Sequence, residues 1–501
     1  MCKAPSSSGA VRVVGKSRVA PARVPPAIAD DYPGHLKLSF LDAPWIATPP
    51  VKQVFLYSSL PDDDDDDDTS FRVVVARLKS SLASTLALFL PFAGKLAYVA
   101  ETGGDVVVDY SDDPGVSFFE AEADFFGDVQ EALLVPEHDL RVLDDEAPVL
   151  RVQATRVGRD IAVGVSLHHA VADGHGMALF IDAWATACRT AGSPSPPPPE
   201  LVAVQLQLQH GREAVFARVH HADLIARDVL HKVAPSLPVS NTKERYSIHS
   251  RLAQRTFHLH AARIKSLKQR IIITSLASSS AKPVVSTFVA VSALCWVAFV
   301  KAKRLPASAD THLIFQIDIR SRLRPPVTAG YTGNCIRGCV ATARAGDLLL
   351  LLRDGEEGLL RAARAVRAAV AEVEAAPLDD GIVTGEWVER VSKLPRARTV
   401  QVAGSPMFRV YEMADFGFGR PTRVEPIAIP GSPVFPLFTV DGGDEEVAEK
   451  LIEGRVVVYA GVHRGDLQLS VALDDQARVD AFVAHVVAAA DDNNDNPRPK
   501  I

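Results

Sequence analysis

The sequence predicts a two-domain protein of the α+β or layered α/β class, and three observations carry that reading. At 501 residues the chain exceeds what one hydrophobic core usually organises. Strand-like and helix-like patterns are mixed without a regular βα alternation. Residues 192–199, Gly-Ser-Pro-Ser followed by four prolines, form an extended spacer that cannot lie inside a helix or a sheet. A first domain is therefore expected over residues 1–199, a crossover over 200–247 and a second domain over 248–501. No internal repeat interrupts this division.

Composition narrows the class. Hydrophobic residues make up 47% and charged residues 23%, ordinary globular values. The net charge of −7 argues against binding a phosphate backbone, which wants a basic face. The five cysteines are scattered and show no zinc spacing, which predicts buried thiols in a reducing compartment. No apolar run reaches the roughly 18–20 residues that span a bilayer. Residues 284–300 come nearest, but Ser286, Thr287, Ser292 and flanking lysines predict a buried core helix. At the N-terminus, basic residues precede Asp30 and Ser6–Ser8 add a transit-peptide flavour. Against that, residues 11–14 read as a strand and 20–26 as a proline-fixed lead-in. The expectation is a cytosolic protein that binds neither membrane nor nucleic acid.

Taken in order, the seven aspartates 62–68 predict a solvated loop, because adjacent like charges repel. A calcium cage would need spaced ligands and a turn glycine. Residues 71–91 carry apolar side chains at helical spacing and end at Pro91-Phe92-Ala93-Gly94. Strands are expected at 105–109 and 149–156. A further one at 161–167 is almost continuously apolar, as a buried central strand should be. It runs into His168-His169-Ala170-Val171-Ala172-Asp173-Gly174, after which a helix continues through Phe180, Ile181, Trp184 and Ala187. The second domain opens with a strand at 256–259, and an acidic tail at 491–495 closes the ordered chain.

Three segments offer chemistry. A buried strand ending in two histidines puts an imidazole at a sheet edge, and an unperturbed imidazole titrates near neutrality, which suits proton abstraction. Asp173 either orients that ring or holds the loop in shape, and Gly174 fits a sharp loop-to-helix turn. The same spacing also suits a structural histidine. A metal site on His168, His169, Asp173 and His175 is disfavoured, since neighbouring side chains on extended backbone face opposite ways. The second segment, Asp415-Phe416-Gly417-Phe418-Gly419-Arg420-Pro421, alternates glycines with aromatics and predicts a turn packed against rings. Its Asp-Phe-Gly is not a kinase magnesium motif, because the other kinase loops are absent; so are a Gly-x-Ser-x-Gly elbow, a Walker loop and a dinucleotide fingerprint. The third runs from Asp318 through Arg320, Arg322 and Arg324 to Gly330-Tyr331-Thr332-Gly333-Asn334-Cys335. Its arginines either form a surface patch or supply the partner that a buried Asp173 needs.

Together these segments resemble the plant BAHD acyltransferases, whose two motifs are His-x-x-x-Asp-Gly and, near the C-terminus, Asp-Phe-Gly-Trp-Gly. Here they read His169–Gly174 and Asp415–Gly419, in the family's order. Leu38-Ser39-Phe40-Leu41-Asp42-Ala43-Pro44-Trp45 resembles the opening of the anthocyanin and phenolic-glucoside malonyltransferase branch. The N-terminal 11–26, residues 91–94, Ser286-Thr287-Phe288 and the ending 465–482 also sit where that family has them, so the resemblance covers nearly the whole chain.

The resemblance implies two similar chloramphenicol-acetyltransferase-like domains, each a mixed sheet flanked by helices, enclosing a solvent channel. His169 would be the general base, Asp173 an orienting residue paired with Arg320, and His168 a wall residue. Asp415 would anchor a structural motif supported by Phe416, Gly417, Phe418, Gly419 and Asn334. Gly174, His175 and Met177 would line the acyl-donor pocket, and Ser286, Thr287 and Phe288 the coenzyme A channel. No cofactor or metal would be permanently bound; acyl-CoA, carrying a malonyl or hydroxycinnamoyl group, would be the co-substrate. The acceptor would be a hydroxyl of a flavonoid or phenolic glucoside, and the enzyme a monomer. N-acylation of polyamines or arylamines, and a non-catalytic binding role, are the competing readings. Two departures stand out: Phe418 replaces the usual Trp, with loss of an indole N–H, and Thr332 replaces a Phe of the branch. Malonyl-using members carry a basic residue just after Asp-Gly, where this chain has His175-Gly176-Met177.

Overall fold

The computed structural model describes residues 11–22, 34–46, 48–58, 67–123, 131–137, 147–190, 208–234, 237, 252–278, 285–350, 357–379, 381, 386–427 and 454–491. Two six-stranded mixed sheets dominate, with strands numbered in chain order. The first runs β1 (Arg12–Val19), β6 (Val116–Ala123), β7 (Leu150–Val157), β8 (Asp160–Leu167), β3 (Val51–Tyr57) and β13 (Arg423–Pro426). The second runs β11 (Ile336–Arg344), β10 (Asp310–Asp318), β12 (Thr399–Gly404), β14 (Gly454–Ala460), β15 (Leu467–Leu473) and β9 (Ala253–Leu259). A small sheet of β2 (His35–Lys37), β5 (Asp105–Asp109) and β4 (Lys95–Val99) flanks the first. In each large sheet parallel and antiparallel pairs coexist, such as β6 with β7 and β7 with β8. This is the layered α/β class expected from the irregular element order.

The nearly continuous apolar run 161–167 lies where its composition demands. In β8 every residue from Ile161 to Leu167 is buried, between β7 and β3. The helix Gly174–Thr190 lays Phe180, Ile181 and Trp184 against the first core, at helical spacing. The helix Thr287–Ala302 is buried almost all round and starts on Ser286, whose Oγ accepts from the Val289 N–H at 3.1 Å. Among the described residues no helix is long and apolar enough to cross a membrane.

Several boundaries differ from the sequence reading. The helix expected over 71–91 spans Asp67–Leu86. Asp67 and Asp68 thus belong to its first turn rather than to a loop; 62–66 lie outside the described residues. At the other end the chain leaves the helix before Pro91 and tightens into a 3₁₀ turn at Leu90–Ala93. The strand expected at 11–14 extends to Val19 because β6 pairs with its whole length. The proposed crossover contains the helix Ala222–Val233 and places Arg212 wholly inside the protein. The two halves also exchange segments. Phe40 and Leu41 pack in the second core, while Tyr411, Phe416 and Val424 pack in the first, and β13 completes the first sheet beside β3.

Candidate functional site

At the end of β8 the chain turns sharply. His168 N–H donates to the Val149 carbonyl at 2.8 Å, and the Val171 N–H returns to the His168 carbonyl at 3.1 Å. His168 is buried, whereas His169 is part-buried. The His169 ring stacks on Trp45 with centroids 3.9 Å apart and planes 8° from parallel. Its Nδ1 is enclosed and makes no hydrogen bond of good geometry. Burial holds the ring's pKa below its ordinary value of 6.5; its own carbonyl, Asp173 and Asn334 act in the opposite sense and are outweighed. The ring is therefore neutral at pH 7, the form that accepts a proton.

Asp173 does not reach that ring with a hydrogen bond. Its Oδ1 accepts from the N–H groups of His175 (3.1 Å) and Gly176 (3.0 Å), as a helix cap does. Arg320 clasps both oxygens at 2.9 and 3.0 Å, and the Cys335 N–H adds a bond at 3.0 Å. Although burial raises its pKa, the guanidinium and these donors overcome that and hold the carboxyl below the usual range. Arg320 also donates to the carbonyls of Tyr331 and Gly333. One ion pair thus ties the start of the helix Gly174–Thr190 to the 331–335 loop. Gly176 sits so close to that loop that a Cβ would come within 2.2 Å of the Thr332 carbonyl.

A second buried pair lies on the other side of Tyr331, and the sequence reading did not find it. Arg212 Nε donates to Asp42 at 2.9 Å, while its terminal nitrogens hold the carbonyls of Val171 (2.7 Å) and His210 (2.6 Å). Asp42 also accepts from Asn334 through backbone and side chain, and the same carboxamide donates to the His169 carbonyl at 2.9 Å. The histidine loop is thereby held from two directions. Tyr331 lies between the two guanidinium groups, at 5.5 and 5.6 Å. His210 is a further unread residue. It bonds the Leu88 carbonyl at 2.7 Å through Nε2 and the Thr332 hydroxyl at 2.8 Å through Nδ1. The polar Thr332, where the resemblance leads one to expect a Phe, therefore has a polar partner. Asp42 left one usable signal: a lone acid among Phe40, Leu41, Ala43 and Trp45 has to find a cation. Arg212 and His210, in a stretch that reads as a linker, left none.

The aromatic-glycine segment lies at the far end of the same helix. Asp415 accepts from the Gly417 N–H at 2.9 Å, and Gly417 and Gly419 have φ of 93° and 96°, which glycine alone adopts freely. Phe416 meets Trp184 edge-on at 4.7 Å, Phe418 meets Tyr57 at 4.7 Å, and Arg189 bonds the Asp415 carbonyl. Ser286 and Thr287 form a helix start, and Phe288 packs against Phe315 at 5.4 Å. Just after Asp173, Gly174 lies against the Phe408 ring, His175 sets its Nε2 on the Ala329 carbonyl at 2.6 Å, and Met177 is buried in the first core. Among the described residues no group of three or more His, Cys, Asp or Glu is arranged to hold a metal ion.

The Transferase family model matches residues 10–439. Phenolic glucoside malonyltransferase 1 of Arabidopsis thaliana is 32% identical over 435 residues, 81% of this chain and 88% of that protein. Agmatine coumaroyltransferase of the same plant is 26% identical over 425 residues, 81% and 89% of the two chains. Among solved structures, vinorine synthase superposes with a TM-score of 0.61 at 17% identity, covering 96% of this chain and 98% of the other. This chain belongs to the Transferase family, the BAHD acyltransferases, and is an acyltransferase.

Proposed function

We propose that the protein transfers an acyl group from acyl-CoA to a hydroxyl of a phenolic or flavonoid glucoside, with His169 as general base and malonyl as the leading donor. The observation that carries this is the His169 ring itself, held neutral by burial, fixed in plane by Trp45, with Nδ1 enclosed and Nε2 left for a substrate. In the reaction, Nε2 takes the proton of the acceptor hydroxyl as its oxygen attacks the thioester carbonyl carbon. The new C–O bond forms, the tetrahedral intermediate collapses, and the C–S bond breaks. Coenzyme A leaves as a thiolate and takes the proton back from His169, which returns to its neutral form. Both substrates are held together, so the attack is effectively intramolecular and no acyl-enzyme is needed. Asp173 acts as scaffold: its oxygens are spent on Arg320 and backbone N–H groups. The malonyl donor and glucoside acceptor rest on the relatives' activities.

The test is release of free thiol, with products weighed, for the parent and His169→Ala over a panel of acyl-CoAs, glucosides and amines. His169→Ala is expected to lower kcat by about 10²–10⁴. A fall of less than threefold removes His169 as the base. Products acylated only on nitrogen replace the glucoside reading with amide formation.

A further inference from the structure

We propose that Arg455 is the residue that recognises the free carboxylate of a dicarboxylic acyl donor such as malonyl-CoA; this rests on malonyl as the donor. Arg455 lies on β14, where alternate side chains face opposite ways. Val456 and Val458 pack into the second core, whereas Val457 and Tyr459 pack with the first. Arg455 shares the face of Val457 and Tyr459 and so points from the second sheet towards the first half of the molecule, where His169 sits. Its β12 partner in register, Gln401, alternates likewise between Val400 and Val402 of the second core.

Arg455, part-buried, differs from the two enclosed arginines of this region. Arg212 has Asp42 and Arg320 has Asp173. Arg455 Nε is enclosed without a hydrogen-bond partner, and no carboxylate among the described residues acts on it. A guanidinium in such a place is unfavourable until an anion arrives. Burial lowers its pKa, and its charge is felt at His169, depressing the ring's affinity for a proton. The face of β14 that Arg455 shares with Val457 and Tyr459 places the awaited anion on the side of His169. Of the anionic groups on malonyl-CoA, only the malonyl carboxylate lies there, one methylene from the thioester carbonyl; the phosphates are at the far end of the pantetheine arm. The window after Asp173-Gly174 does not supply this cation, since His175 is turned onto a carbonyl and Met177 is core.

Equilibrium binding of malonyl-CoA and acetyl-CoA to the full chain, which needs neither acceptor nor turnover, tests the assignment. The parent should prefer malonyl-CoA by about tenfold or more, the range of a charge-assisted bidentate contact. In Arg455→Met the preference should collapse to within about twofold, and Arg455→Lys should keep part of it. Arg455→Gln serves if the methionine variant does not fold, although loss of an unpaired enclosed cation should not lower Tm. Equal weakening of both donors would assign Arg455 to the CoA phosphates and overturn the proposal. So would a parent without preference, or a preference that survives in Arg455→Met. If the parent turns over hydroxycinnamoyl-CoA but not malonyl-CoA, this assignment falls while His169-dependent acyl transfer stands.

Discussion

Replacing Asp173 by asparagine separates a scaffold from a proton relay. The side chain keeps its shape, but one acceptor oxygen becomes an NH₂ group facing donors. On one side it meets the Arg320 guanidinium and the Cys335 N–H, on the other Arg320 again and the N–H groups of His175 and Gly176. The lost charge leaves a guanidinium only 5% exposed with the half-exposed Asp318, 3.3 Å away, as its one remaining carboxylate partner among the described residues. Breaking one side of such a pair costs about 3–5 kcal/mol. At about 2–4 °C per kcal/mol for a lobe of this size, Tm should fall by roughly 6–20 °C. Asp173→Asn/Arg320→Met should recover part of this, because a neutral pair leaves no enclosed charge. Asp173 also favours the protonated His169 ring, so the acid limb of the pH–rate profile, already below 6.5 in the parent, should move lower still. The sign for stability follows from the depressed carboxyl pKa. The pair contributes fully above the unfolded carboxylate's pKa and is lost as pH falls through the folded value. Calorimetry and thiol release on the same samples decide. If Asp173→Asn melts within about 2 °C of the parent yet loses kcat, Asp173 acts on the proton and the scaffold reasoning fails.

Two other perturbations probe the frame around the loop. Burial lowers the His210 pKa to about 4. The unfolded chain then binds the extra proton between about pH 6.5 and 4, and stability falls by up to about 3 kcal/mol as pH drops through that window. Urea midpoints from pH 7 to 4.5 should show this slope, and His210→Gln should flatten it; an unchanged slope assigns it elsewhere. Arg212→Met frees the carbonyls of Val171 and His210 and strands Asp42. Both Tm and kcat should fall, with Asp42→Asn/Arg212→Met regaining stability; a kcat loss without a Tm loss would mean that Arg212 touches substrate.

What could be read from sequence was whatever the chain expresses locally. The almost continuous apolar run of β8, the 3.6-residue pattern after Gly174 and the glycine-aromatic turn at Asp415–Gly419 each need only a few neighbouring residues to declare themselves. Arg320 was reachable because Asp173 in an apolar context demands a cation and an arginine-rich segment lay in the other half. The Asp42, Arg212 and Asn334 cluster was not reachable, since its members lie 170 and 292 positions apart and each alone resembles an ordinary polar residue. Trp45 enters the family resemblance only as the end of Leu38–Trp45; its stacking on His169 depends on where a short 3₁₀ turn places it. Arg455 is the second residue of β14, and only the alternation of core contacts along that strand reveals which way it faces. The exchange of segments between the halves was hidden for the same reason, because β13 is four residues long and its pairing is non-local.

Two buried Asp–Arg pairs beside one histidine loop are not explained by stability, since apolar residues of similar volume often hold a fold as well or better. Their geometry suggests a different reason. The histidine loop must end a core strand, turn within a few residues and start a helix, which leaves several backbone donors and acceptors unmet by secondary structure. Asp173 satisfies the donors at the helix start and Arg212 the carbonyl of Val171, while Asn334 takes the carbonyl of His169 itself. Charged groups do this with defined direction, whereas apolar packing around the same loop would leave those polar atoms unpaired and the ring free to settle in several positions. Because Asp42 and Asp173 come from the first half and Arg320 and Asn334 from the second, the same bonds fix the two halves against each other. The position of the His169 ring is then set by one network, so a substitution in either pair should alter acceptor choice together with rate.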